Sequence, residues 1–167
     1  MKYCSSCGNE LAEEAILCPK CGCAVEDKAP KSVAPAAQFK TNRNLITFIL
    51  LTIVTFGIYA IVVYSKISTE INTVASRYDG KKTMHFCLVA FVFSWLTLGI
   101  VPIVWQHKIS ARIGDEAKRR GVYDQFGAST FWLWGVLGAL IVVGPFIYTH
   151  RLLKAMNLIN ADYNVNG

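Results

Sequence analysis

The sequence predicts two unlike parts: a small metal-binding ribbon at the N-terminus and an all-α membrane domain of three repeated helical units. Three observations lead there. Four cysteines stand as two Cys-x2-Cys pairs near the start, three long segments carry no charged residue, and the second of those segments repeats the first 42 residues later. The chain of 167 residues is 53% hydrophobic and only 17% charged, with 17 Lys and Arg against 11 Asp and Glu. An ordinary soluble domain carries about 25% charged residues, so this composition departs in the membrane direction. Disorder, collagen and a disulfide-stapled secreted scaffold fit poorly, because the apolar fraction is too high, no Gly-x-y period runs through the chain and the cysteines are clustered.

The ribbon is predicted over residues 1–25. Cys4, Cys7, Cys18 and Cys21 present four thiolates at a spacing that suits one tetrahedral zinc ion. Gly8 and Gly22 follow the pairs and permit the turn that brings backbone N–H groups around the sulfurs, and Pro19 stiffens the second knuckle. Between the pairs only Leu11, Ala15, Ile16 and Leu17 are available for burial, so the metal must supply most of the folding free energy. A redox Cys-x-x-Cys would need one pair and a βαβ setting, and disulfides would need an oxidising compartment. Four protein ligands leave no open position, which makes the zinc structural; Cys23 reads as a spare thiol beyond the set. This stretch resembles the short zinc ribbons with rubredoxin-like knuckles that begin many bacterial proteins, the Cys18-Pro19-Lys20-Cys21-Gly22 knuckle carrying the likeness. Lys2 and Lys20 face Glu10, Glu13, Glu14, Glu26 and Asp27, so the module is acidic and a poor match for nucleic acid.

Residues 26–44 are rich in Ala, Pro, Lys and Ser and read as a flexible linker, with Lys28, Lys31, Lys40 and Arg43 ahead of the first apolar run. Spans are expected at about 45–65, 86–107 and 130–150 within a membrane domain over 45–160, each near the length that crosses a hydrocarbon core of about 30 Å. Trp105, Trp132, Trp134 and Tyr148 fall where interfacial aromatics occur. Each span leads into a basic amphipathic stretch: Ile67, Ile71, Val74 and Tyr78 keep helical spacing after the first, and Ile109, Ile113 and Ala117 after the second. Such a stretch is expected to lie along the surface with its Lys and Arg at anionic headgroups.

The repeat is explicit. Thr55-Phe56-Gly57-Ile58 and Lys66-Ile67-Ser68 return as Thr97-Leu98-Gly99-Ile100 and Lys108-Ile109-Ser110, and a weaker third copy turns Pro102, His107 and Lys108 into Pro145, His150 and Arg151. On these residues residues 40–160 resemble the domain-of-unknown-function 4234 family, short bacterial membrane proteins with a T-L-G-I-Y-like motif. Val101 departs from its tyrosine, and the third copy lacks Thr-x-Gly. The resemblance implies a place in the bacterial cytoplasmic membrane and no known activity.

Topology is contested within the sequence. Three full spans with a cytosolic N-terminus, the favoured reading, would leave Lys66, Arg77, Lys81 and Lys82 outside. Re-entrant dips bent at Gly57, Gly99 and Gly144 would keep every basic residue inside, but put broken backbone in lipid. Pro102 and Pro145 could mark kinks.

For function, the residues show no Ser/His/Asp or Cys/His constellation, no phosphate loop and no paired carboxylates in the apolar segments, so no enzyme is expected. His85, His107 and His150 fall at expected interfaces. The expectation is a non-enzymatic integral membrane protein whose cytosolic ribbon acts as an adaptor, scaffold or sensor for a protein partner. The alternative is a small homo-oligomeric pore or transporter-like protein capped by a structural ribbon, although the spans carry no ionisable residue.

Overall fold

The computed structural model describes residues 2, 3, 10, 11, 20 and 38–167. The chain divides into two units, residues 1–34 and 35–167. In the first, β1 (Lys2–Tyr3) pairs antiparallel with β2 (Glu10–Leu11), Lys2 opposite Leu11 and Tyr3 opposite Glu10. Cys4, Cys7, Cys18, Cys21 and Cys23 lie outside the described residues.

The second unit is helical: α1 (Leu45–Val54), α2 (Ile58–Asp79), α3 (Phe86–Leu88), a π-helical stretch (Val89–Phe93), α4 (Ser94–Leu96), α5 (Ile100–Arg119), α6 (Ala128–Thr130), a second π-helical stretch (Phe131–Val136), a 3-10 stretch (Leu137–Ile141) and α7 (Gly144–Asn166). The three uncharged segments do not run as continuous helices. Each breaks and folds back. Phe48 lies 6.2 Å, ring to ring, from Tyr59 and from Tyr64; a continuous helix would put Phe48 and Tyr64 about 24 Å apart. Phe86 and Trp105 meet at 4.9 Å across the second break, and Phe131 and Tyr148 at 5.7 Å across the third. Three helical hairpins therefore replace the favoured three spans, and among the described residues no helix is long and apolar enough to cross a membrane.

The breaks follow from local sequence. Phe56 at φ 49° and Gly57 at φ 91° reverse the chain, as do Leu98 at φ 49° and Gly99 at φ 86°. The Gly57 N–H donates to Thr52 O and the Gly99 N–H to Ser94 O, so the same helix-ending reversal is used twice. The third hairpin, without Thr-x-Gly, turns at Val142 (φ 61°) and closes by glycine contact. A Cβ on Gly144 would lie 2.3 Å from the Gly138 Cα and 2.4 Å from Trp134 O. Pro102 and Pro145 sit in the first turns of α5 and α7, where a missing N–H forfeits no helical bond, so they start helices and do not kink them.

Away from the turns, the later halves of α2, α5 and α7 form a three-helix core. Ile67, Ile71, Val74, Ile109, Ile113, Met156 and Ile159 are fully buried in it, at the i, i+4 positions the sequence marks on α2 and α5. Residues 38–44, the end of the expected linker, lie extended on α7. Asn157, Asn160 and Asn164, spaced three and four apart, form one face of that helix and hydrogen-bond the backbone of Arg43, Lys40 and Phe39 respectively. Phe39 stacks on Tyr163 at 5.2 Å. An asparagine carboxamide has the donor and acceptor of a peptide group, so this face of α7 can pair with an extended strand as a neighbouring strand would. The expected tether therefore ends before residue 39, and α7 carries the domain to Asn166, beyond the expected limit of 160.

Candidate functional site

The hairpin tips are the most unusual surface of the molecule. Phe56 is 97% exposed, Leu98 94%, Trp95 87% and Leu140 84%. Around them Ile53, Val54, Leu96, Ile100, Ile141 and Val142 are also exposed. Single exposed apolar residues need no explanation, but apolar surface gathered on every hairpin tip far exceeds what water-exposed protein surfaces carry. The aromatic and aliphatic tips are also held at a cost. Phe56 and Leu98 occupy the left-handed region, which disfavours a non-glycine residue by about 1–2 kcal/mol.

The threonine of the repeat explains how backbone can reverse in so apolar a place. Thr55 Oγ1 donates to Leu51 O at 2.7 Å and accepts from the Tyr59 N–H at 2.9 Å. Thr97 does the same with Phe93 O at 2.6 Å and the Val101 N–H at 3.1 Å. One hydroxyl thus ties the last turn of the rising helix to the first turn of the falling one. Further bonds cross the turn, Ile58 N–H to Thr55 O and Ile100 N–H to Thr97 O. A helix end in hydrocarbon would otherwise leave carbonyls and N–H groups unpaired at several kcal/mol each.

Below the tips the surface is polar and the charges are organised. Arg112, a buried residue, donates to Asp79 (2.6 and 3.1 Å), Asn72 (2.5 Å), Thr83 (2.8 Å), Ser76 (3.0 Å) and the Lys81 carbonyl (2.6 Å). It pins the 80–85 segment to α5. Burial would raise the Asp79 carboxyl, but the hydrogen bonds from Arg112 and the Lys81 N–H outweigh it and hold the group below its ordinary value. Glu116 behaves alike: burial pushes it up, while Arg119 and Arg120 bring it below the ordinary range. Hydrogen bonding to Glu116 in turn raises Arg119, whose guanidinium lies 3.5 Å over the Tyr78 ring. Arg43 pairs with Glu70, which also accepts from Asn160 at 2.9 Å, and Arg120 pairs with Asp162. Arg43, Arg112 and Arg120 therefore serve internal pairs. Lys40, Lys66, Arg77, Lys81, Lys82, Lys108, Lys118, Arg119 and Lys154 are exposed cations of this unit.

The three histidines are not brought together. His85 caps α3, accepting from the Cys87 N–H; His107 accepts from the Trp132 indole at 3.1 Å, and His150 is exposed. Among the described residues no group of three His, Cys, Asp or Glu is placed to hold a metal. Between α2, the 80–85 segment and α5 lies an open groove of about 770 Å3, which the sequence reading does not anticipate.

Residues 43–115 match the family model of a domain of unknown function (DUF4234). The DUF4234 match begins at Arg43, in the strap on α7, and ends on α5, so it covers the first two hairpins, the two copies that carry Thr-x-Gly. No curated protein and no solved structure matches the chain. The DUF4234 region thus coincides with the reversal geometry and supplies no activity. Sequence reasoning missed the outward, left-handed Phe56 and Leu98; the signal was the Thr-x-Gly repeat itself, a helix-ending pattern in the middle of an apolar run.

Proposed function

We propose that residues 38–167 are a one-sided membrane anchor. Three helical hairpins sit in the cytosolic leaflet, and the bundle beneath them holds a ribbon at the membrane surface as a docking module for a protein partner. The observation that carries this reading is the exposure of Phe56, Trp95, Leu98 and Leu140 on the hairpin tips, the first two of which are closed by the Thr55 and Thr97 hydroxyls. The ten residues of α1 are about 15 Å long, half the thickness of a hydrocarbon core of about 30 Å. In this arrangement every lysine and arginine stays on the cytosolic side, which removes the charge conflict that three spans create.

The four N-terminal cysteines hold one structural zinc in this proposal, and the protein is a non-enzymatic scaffold or sensor. The antiparallel pairing of Lys2–Tyr3 with Glu10–Leu11 is consistent with a ribbon. The acidic charge of the module gives it no attraction to anionic lipid, which favours a cytosolic protein as its partner.

The test is accessibility from each face. Cysteines placed singly at Arg77, Asp124 and Arg151 in a cysteine-free chain, in sealed inner-membrane vesicles of known orientation, should all react with an impermeant maleimide from the cytosolic face. Labelling of Arg77→Cys from the opposite face alone would overturn the one-sided anchor.

A further inference from the structure

We propose that the groove between α2, the 80–85 segment and α5 is a binding site for a phospholipid with an anionic headgroup. This rests on the anchor reading and deepens it by naming a ligand and its seat. The volume, about 770 Å3, is that of a small-molecule pocket and suits a headgroup with the first part of its chains. The lining is graded along one face of α5. Val101 and Val104 stand nearest the hairpin tip, with Met84 and Trp105 beside them; one turn further on come Lys108 and then Arg112 and Asp115. Val104 and Ile103 are exposed, so the apolar end of the groove is continuous with the surface assigned to lipid.

Charge decides the class of ligand. Two of the three acidic side chains in the lining are already satisfied: Asp79 by Arg112, and Glu116 by Arg119 and Arg120. Among the described residues Lys81, Lys82 and Lys108 enter no ion pair; Asp79, bound by Arg112, acts on Lys81 only through space, and Asp115 is the one acidic side chain of the lining left without an arginine partner. A net positive rim beside an apolar trough fits an amphiphile with a negative head. The rim is held in place, because Arg112 takes the Lys81 carbonyl at 2.6 Å and Trp105 donates to the Met84 carbonyl at 2.8 Å. These two bonds fix both ends of the segment that carries Lys81 and Lys82. A free phosphate would use the lysines but would gain nothing from Val101, Val104 and Met84.

The experiment is competitive retention by native mass spectrometry. The full-length protein in neutral-detergent micelles receives equal amounts of dimyristoyl phosphatidylglycerol and dimyristoyl phosphatidylcholine. The wild type should retain the anionic lipid over the neutral one by about tenfold or more, as two or three lysines at a headgroup supply. K81Q/K108Q should bring the two lipids level, and K66Q/K118Q, which removes the same charge outside the groove, should leave the preference intact. V104W, which fills the apolar end, should lower retention without touching a lysine. Circular dichroism checks that each variant is folded. Equal retention of both lipids by the wild type overturns the proposal, as does an equal loss in the two lysine pairs. Displacement of the anionic lipid by inorganic phosphate at matched concentration would overturn it too, since the site would then read only the headgroup. Flotation with neutral phosphatidylcholine vesicles separates the two claims: a wild type that fails to float sinks the anchor, whereas one that floats without selecting the anionic lipid sinks only the groove.

Discussion

Placing a carboxylate on the hairpin tips separates membrane affinity from folding. Phe56 and Leu98 are 97% and 94% exposed, so neither contributes appreciably to the core. Both also sit at φ 49°, a conformation that Asp tolerates better than Phe or Leu. F56D/L98D should therefore leave the folded protein in detergent unchanged or slightly more stable. In the bilayer each substitution forfeits about 1.5–3 kcal/mol of apolar burial and adds up to about 3 kcal/mol for an acidic group at hydrocarbon depth. Each tip loses roughly 4–5 kcal/mol on this reckoning, about a thousandfold in partitioning at 1.4 kcal/mol per tenfold. Flotation with phosphatidylcholine vesicles reads the partitioning, and thermal melting followed by circular dichroism in micelles reads the fold. The milder F56N/L98N, which loses the apolar part alone, should fall between the wild type and the acidic variant. If F56D/L98D floats as the wild type does, the tips do not enter lipid. If it unfolds in micelles, the tips serve the fold, and the assignment of this surface is wrong.

Three further outcomes are expected. R112M strands Asp79, whose side chain is only 25% exposed, and several polar groups of the 80–85 segment; it should cost about 3 kcal/mol, the lower end for a broken buried pair, seen as a lower melting temperature. Asp79 and Glu116 titrate below their ordinary values when folded, so their pairs stabilise fully above about pH 5 and lose that contribution as pH falls through the folded values. R112M should accordingly flatten the Asp79 part of the acid dependence, and a melting series from pH 7 to pH 3 that is parallel to the wild type's would contradict the assignment. N157A/N164A removes four backbone hydrogen bonds to Phe39 and Arg43, worth about 1 kcal/mol each; trypsin should then cut at Lys40 and Arg43 much faster than in the wild type, with the helical signal retained. Cobalt added to the zinc-stripped protein should give the visible absorption of a tetrahedral thiolate site, lost on replacing Cys4 or Cys18 by Ser; an octahedral cobalt spectrum would exclude the four-sulfur set.

Much of this architecture was legible in the sequence, down to its period. The three uncharged segments, the repeat and the buried positions Ile67, Ile71, Ile109 and Ile113 all follow from composition and spacing. What hydropathy does not distinguish is one helix of 21 apolar residues from two shorter ones folded together, because both expose the same side chains to lipid. The deciding information was conformational. Thr55 and Thr97 have a hydroxyl at the one place where a reversing chain needs both a donor and an acceptor, and the glycines follow two residues later. Long-range polar pairing was hidden for a different reason. Arg112 and Arg120 sit in basic runs that resemble a solvated face, and only the fold shows that Asp79 and Asp162 are their partners. The Asn157, Asn160 and Asn164 series was visible at helical spacing, but nothing local names Phe39, Lys40 and Arg43 as what it holds.

The self-closed turns bear on how such a domain would reach its place. A crossing helix obliges the cell to carry polar chain through hydrocarbon, and that is work for a translocation machine. In the proposed anchor the 80–85 and 120–127 connections stay on the side where they were made, and the first two tips enter lipid with backbone groups of the turn already bonded to Thr55 and Thr97. Such hairpins could fold first and sink in afterwards, one at a time, so that assembly becomes a partitioning step open to a finished chain.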